Sequence, residues 1–115
     1  MNTWDVVLLR YPFNDGGGGT KVRPVLVISK NEYHNSGQDG LFMLMTSNVE
    51  RVAEFDVLID SSHPEFGKSG LIKSTAIRVD KIMNLSKALV SRRLGCIGPV
   101  LRAEVKQKLS RLFGT

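Results

Sequence analysis

The stretch Val22-Arg23-Pro24-Val25-Leu26-Val27-Ile28-Ser29 decides the fold. Its apolar residues run without alternation, so it reads as a strand buried on both faces. Pro24 has no N–H to give a sheet ladder, so it is expected near the strand's start. Arg23 then stands at the entrance to the core, held by firm backbone and free to reach a cleft.

On the N-terminal side, Asp5-Val6-Val7-Leu8-Leu9-Arg10-Tyr11 is a second apolar strand ended by Pro12. Between the two lies Asn14-Asp15-Gly16-Gly17-Gly18-Gly19-Thr20-Lys21. Four consecutive glycines hold neither helix nor strand. The stretch lacks the GxxxxGK[ST] spacing of a phosphate-binding P-loop. It reads as a flexible flap, with phosphate contact through glycine N–H groups as the alternative.

On the C-terminal side, residues 30–40 carry turn chemistry with one helical turn near Glu32 and Tyr33. Leu41-Phe42-Met43-Leu44-Met45 is a doubly buried strand ending at Thr46-Ser47-Asn48. Residues 54–59 alternate polar and apolar, which predicts a half-exposed strand. Residues 60–70 read as a loop, 71–80 as a long strand followed by 81–85, and 90–97 as a last short strand. After Gly98-Pro99, Leu101, Val105, Leu109 and Leu112 form one apolar stripe of a terminal helix, which Gly114 ends. Many short strands and one late helix predict a single domain over residues 1–115. It is mainly β: a small, strongly curved antiparallel sheet or open barrel closed by the C-terminal α-helix.

Composition narrows the function. At 115 residues, 42% hydrophobic and 23% charged, the chain suits one globular core. It has no apolar run of membrane-spanning length and no signal-peptide pattern, so a cytoplasmic location is expected. Cys96 is the only cysteine, and His34 and His63 share no ligand spacing with it, so no metal site or other cofactor is expected. The first 80 residues carry 8 basic and 10 acidic groups; residues 81–115 carry 8 basic groups and Glu104 alone as acid. A basic C-terminal third favours a polyanion, either nucleic acid or an acidic protein.

Four segments together resemble the MazF/PemK (Kid-like) family of toxin endoribonucleases from bacterial toxin–antitoxin pairs. They are Trp4-Asp5-Val6-Val7-Leu8, Lys21-Val22-Arg23-Pro24-Val25-Leu26-Val27-Ile28-Ser29, Leu44-Met45-Thr46-Ser47 and Ser69-Gly70-Leu71-Ile72-Lys73-Ser74-Thr75-Ala76-Ile77-Arg78-Val79-Asp80-Lys81-Ile82. The resemblance implies an SH3-like small barrel working as a homodimer. It implies metal-independent cleavage of single-stranded RNA and neutralisation by an acidic antitoxin. It places the catalytic pair at Arg23 and Thr46. RNA contacts are expected from Asn14, Thr20, Lys21, Ser47, Asn48, Lys73, Ser74 and Arg78, with sequence specificity in the loops at residues 14–20 and 48–53. Members that pair an arginine with an aspartate two residues later have Lys73 and Thr75 here, so no carboxylate base is implied. The alternatives are a non-catalytic toxin of the same fold that binds DNA gyrase, as the CcdB type does, and a plain SH3-like binding module.

The residue chemistry suits phosphoryl transfer. A guanidinium fork at Arg23 matches two phosphate oxygens. Thr46 can hydrogen-bond the phosphate or the 2′-OH, and Lys73 adds charge. The Arg92-Arg93 pair reads as a solvated basic face, with RNA or antitoxin contact as the alternative. Trp4, Phe42 and Phe55 read as core.

Overall fold

The computed structural model describes residues 1–11 and 21–115. Asn14, Thr20 and the glycine tract lie outside the described residues. The strands are β1 (Asp5–Tyr11), β2 (Lys21–Val27), β3 (Asp39–Thr46), β4 (Asp56–Ile59), β5 (Thr75–Ser86) and β6 (Val90–Cys96). The helices are α1 (Asn31–Ser36), α2 (Phe66–Ser69) and α3 (Pro99–Phe113). All strand pairs are antiparallel, in the order β4-β5-β3-β2-β1-β6. The first strand therefore receives the last as its neighbour.

The sheet is apolar on both faces along its middle strands. Val6, Leu26 and Met43 meet Val57, Ile59, Ile77 and Val79 on one side, where α3 adds Leu101 and Val105. Burying a side chain of this size stabilises by about 1.5–3 kcal/mol. Val7, Leu9, Val25, Val27 and Phe42 form a second cluster, covered by Met83 and Leu85 of β5 and Val90 of β6. A sheet covers its own face only by curling. Register shifts supply the bend: Met43 faces Ile82 and Leu44 faces Arg78, while β1 and β6 slip at Val6/Val7 and Leu8/Leu9. The result is a mainly β, small-barrel-like fold with a C-terminal helix, as expected. It is open, because edge strands β4 and β6 do not pair.

The opening is strapped by α2, which lies in the segment expected to be plain loop. A Cβ at Gly95 of β6 would stand 2.2 Å from the Lys68 carbonyl oxygen, and one at Gly70 would stand 2.2 Å from that of Leu94. Gly70 also has φ +73°, the left-handed conformation that suits glycine.

Other expectations need correction. β2 begins at Lys21, so Pro24 sits in mid-strand. It is tolerated because residues 21–24 pair with β1 alone and leave the other side unladdered. β4 is buried at Asp56, Val57 and Ile59 rather than half exposed, because α3 packs over one face and Arg78 closes the other. Residues 71–74 are loop, and β5 instead runs unbroken through 75–86. His34 lies in α1, fully buried, with Nδ1 2.8 Å from the Ser29 hydroxyl and Nε2 3.2 Å from the Met1 carbonyl. It is a structural residue. No helix among the described residues is long and apolar enough to cross a membrane.

Candidate active site

The parting of β2 from β3 makes the site. The two strands pair only over Val25–Val27 with Leu44–Phe42. Ahead of Val25, β2 follows β1; beyond Leu44, β3 follows β5 to Thr46. The gap is a cleft of about 500 Å³. Leu8, Arg23 and Pro24 form one wall, and Met45, Thr46, Ser47 and Asn48 the opposite one. Gly70, Leu71, Ile72, Lys73 and Thr75 close a third side, and Arg92 and Leu94 of β6 the last. Among the described residues, the lining holds three cations and no carboxylate, so an anion placed there meets no opposing charge from them.

Each polar group is held from behind. The Arg23 guanidinium carbon lies 5.9 Å from the Tyr11 ring centre, a cation–π contact that steadies an exposed side chain. Thr46 Oγ1 accepts a hydrogen bond from the Asn48 backbone N–H at 3.2 Å. Its own O–H is left to donate. Lys73 sits on a loop tied at both ends. Leu71 N–H donates to Ser69 Oγ (3.2 Å), and Thr75 Oγ1 donates to the Lys73 carbonyl (2.9 Å). Ser74 Oγ donates to Asp60 Oδ1 at 3.0 Å and accepts from Ser61 N–H at 2.9 Å. Hydrogen bonds from the Ser62 and Ser74 hydroxyls hold the Asp60 carboxyl below its ordinary range. Ile72, on the same loop, is 93% exposed at the rim.

Of the residues singled out from sequence, Arg23, Thr46, Ser47, Asn48 and Lys73 come together here. Ser74 does not line the cleft; its hydroxyl serves the Asp60 network. Lys21 lies outside it, at the start of β2 opposite Tyr11. Arg78 belongs to a neighbouring cleft with Asp56. Arg92, read with Arg93 as a solvated basic face, is exposed and also lines the cleft. Alternation along β6 carries that signal, since adjacent Arg92 and Arg93 point to opposite faces. Arg93 pairs instead with buried Asp5 at 3.1 Å.

The basic terminal helix also differs from a free polyanion surface. Arg102 Nε donates to the Ile97 carbonyl (2.8 Å), Lys106 lies over Trp4 and Lys108 donates to the Glu54 carbonyl. Arg111 pairs with Glu54 at 2.7 Å and covers Phe55. These cations fasten α3 to the sheet. Among the described residues, no group of three or more His, Cys, Asp or Glu is placed to hold a metal ion.

Residues 2–113 match the family model described as PemK-like, MazF-like toxin of type II toxin–antitoxin system. The chain belongs to this toxin family. None of the curated proteins compared by sequence matches it. Among solved structures, MazF from Deinococcus radiodurans superimposes with a TM-score of 0.76 at 22% identity, covering 100% of this chain and 97% of that one. An endoribonuclease in complex with its cognate antitoxin from a mycobacterial species gives 0.74 at 19%, covering 99% and 95%. The Mycobacterium tuberculosis toxin MazF-mt6 gives 0.75 at 14%, covering 96% of each chain. At these identities the likeness is one of fold.

Proposed function

We propose that this toxin is an endoribonuclease that cuts single-stranded RNA without a metal ion, in the cytoplasm, as a homodimer. The observation that carries the reading is a cleft whose described lining brings Arg23, Lys73 and Arg92 together with Thr46 and includes no carboxylate. The ribose 2′-OH attacks the adjacent phosphorus. The 2′-O–P bond forms, the P–O5′ bond breaks, and the 2′-OH proton ends on the leaving 5′-oxygen. The products are a 2′,3′-cyclic phosphate and a 5′-OH, with no co-reactant consumed. Negative charge grows on the two non-bridging oxygens, and the Arg23 fork matches both. Thr46 O–H donates to the same phosphate. Lys73 and Arg92 hold the flanking backbone by charge, while Ser47 and Asn48 offer hydrogen bonds at the cleft mouth. The apolar floor of Leu8, Met45, Leu71 and Leu94 beside these cations also suits an acidic, amphipathic antitoxin segment, which would block RNA by occupying the same space.

The test is cleavage of a single-stranded RNA in EDTA with mapping of 5′-OH ends. Arg23→Ala is expected to lose about 100- to 1,000-fold in kcat at an unchanged melting temperature, the usual cost of removing one preorganised donor. Full cleavage by that variant overturns the assignment. Growth arrest with intact RNA and inhibited supercoiling would point to a gyrase-binding toxin instead.

A further inference from the structure

On the far side of Thr46 and Asn48 lies a second cleft of about 470 Å³, which also includes Glu50, Arg51, Asp56 and Arg78. The two clefts share Thr46 and Asn48, so a chain whose phosphate occupies the first brings its next nucleotide to the second. Their electrostatics differ. Among the described residues the first carries Arg23, Lys73 and Arg92 and no acid, whereas the second balances Arg51 and Arg78 against Glu50 and Asp56. A phosphate is disfavoured beside two carboxylates; a neutral group with hydrogen-bonding edges is not.

The Arg78–Asp56 pair is built to present rather than to be consumed. The Asp56 side chain is 3% exposed, and the Ala53 N–H fixes its Oδ2 at 2.9 Å. Its Oδ1 stands 3.4 Å from Arg78 Nε without a hydrogen bond, and both atoms are buried and unsatisfied. The surface pair Arg111–Glu54 closes to 2.7 Å. Asp56 therefore anchors Arg78 from behind by charge while a third of the arginine side chain remains exposed on the cleft. An oriented guanidinium fork facing a neutral ligand fits two acceptors on one edge. Guanine presents O6 and N7 in that arrangement, and single-stranded RNA leaves the edge free.

We infer that the second cleft is a guanine pocket that reads a base beside the cleaved phosphate, with Arg78 as the reader and Asp56 as its positioning residue. This rests on the RNA-cleaving reading above. The experiment is cleavage of a degenerate single-stranded RNA followed by sequencing of 5′-OH ends. The wild-type protein is expected to enrich guanine about tenfold or more at one fixed position next to the cut. Arg78→Lys, a point charge without a fork, loses that enrichment and keeps the preference at other positions. The double variant Arg78→Gln/Asp56→Asn does the same without leaving a buried charge unpaired. Asp56→Asn alone weakens it. In a defined RNA, 7-deazaguanosine at that position slows the wild type about tenfold and leaves Arg78→Lys unaffected. Cleavage with no guanine preference, or an unchanged preference in both Arg78 variants, overturns this inference alone. No cleavage by the wild type overturns it together with the reading it rests on.

Discussion

Removing the carboxylate of Glu65 tests how the strap and the terminal helix are joined. Helix α3 begins with no side-chain cap of its own, and Gly98 is its N-cap residue. Glu65, one residue before α2, supplies the cap from a distance. Its Oε2 and Oε1 accept from the Val100 and Leu101 N–H groups, each at 2.9 Å. A Cβ at position 98 would lie 2.5 Å from this carboxyl, so glycine there is what lets it in. Losing a helix cap costs about 1 kcal/mol, and losing a carboxylate from a helix N-terminus about 0.3–1 kcal/mol more. An unfolding entropy of about 2.1 cal/mol/K per residue over 115 residues gives about 0.24 kcal/mol/K. Glu65→Ala should therefore lower the melting temperature by about 5–8 °C at pH 7. Partial burial pushes the Glu65 carboxyl up, but the Leu101 and Val100 N–H bonds and the nearby His63 and Lys68 charges outweigh it. The net effect holds the carboxyl below its ordinary value of 4.5. A depressed carboxylate stabilises fully above its unfolded value and ceases to as pH falls through the folded one. The melting gap between the two proteins, followed by circular dichroism, should be full at pH 7 and close as pH drops below 4.5. A gap of equal size at pH 3 and pH 7, or none at pH 7, refutes the reasoning.

Other changes separate site from scaffold. Gly70→Ala forces a side chain into the left-handed region and against the Leu94 carbonyl. It should cost about 2 kcal/mol or more in chemical denaturation and reduce RNA cleavage by displacing Lys73. Thr46→Ser should retain most cleavage, whereas Thr46→Val, which keeps shape without the hydroxyl, should lose about 100-fold in kcat. Arg92→Gln should raise KM for RNA and flatten its salt dependence with little change in melting temperature. Arg93→Gln should do the reverse, lowering the melting temperature with KM for RNA unchanged, because it removes the ion partner of buried Asp5 and leaves it the Asn2 N–H.

Local patterns made the scaffold legible. The unbroken apolar runs around Val25 and Phe42 announced strands buried on both faces, and the leucine stripe with Pro99 and Gly114 announced α3. Arg23 and Thr46 were named through the family resemblance, and the fold brings both to the wall of one cleft. The errors came from tertiary context. No periodicity shows that β5 continues past Asp80, since its bend is absorbed by pairing with β3. The α2 strap is a single turn packed against Gly95, 26 to 29 residues away by chain and adjacent in space. Ser74 carries suitable chemistry, but Asp60 claims its hydroxyl through a contact that spacing does not report. The place of Arg92 on the cleft wall was not legible, because that wall exists only once β6 has docked on β1.

That docking order has a consequence for synthesis. The first strand made waits for the last strand made, and the loop bearing Lys73 has its seat on Leu94 and Gly95. A nascent chain can present Arg23 and Thr46 long before residue 92 emerges, yet it has nothing with which to enclose a phosphate between them. Such distant pairings also form slowly. This member of a toxin family thus completes its cleft only with its closing strand, and a chain broken short of that point lacks the Arg92 and Leu94 wall.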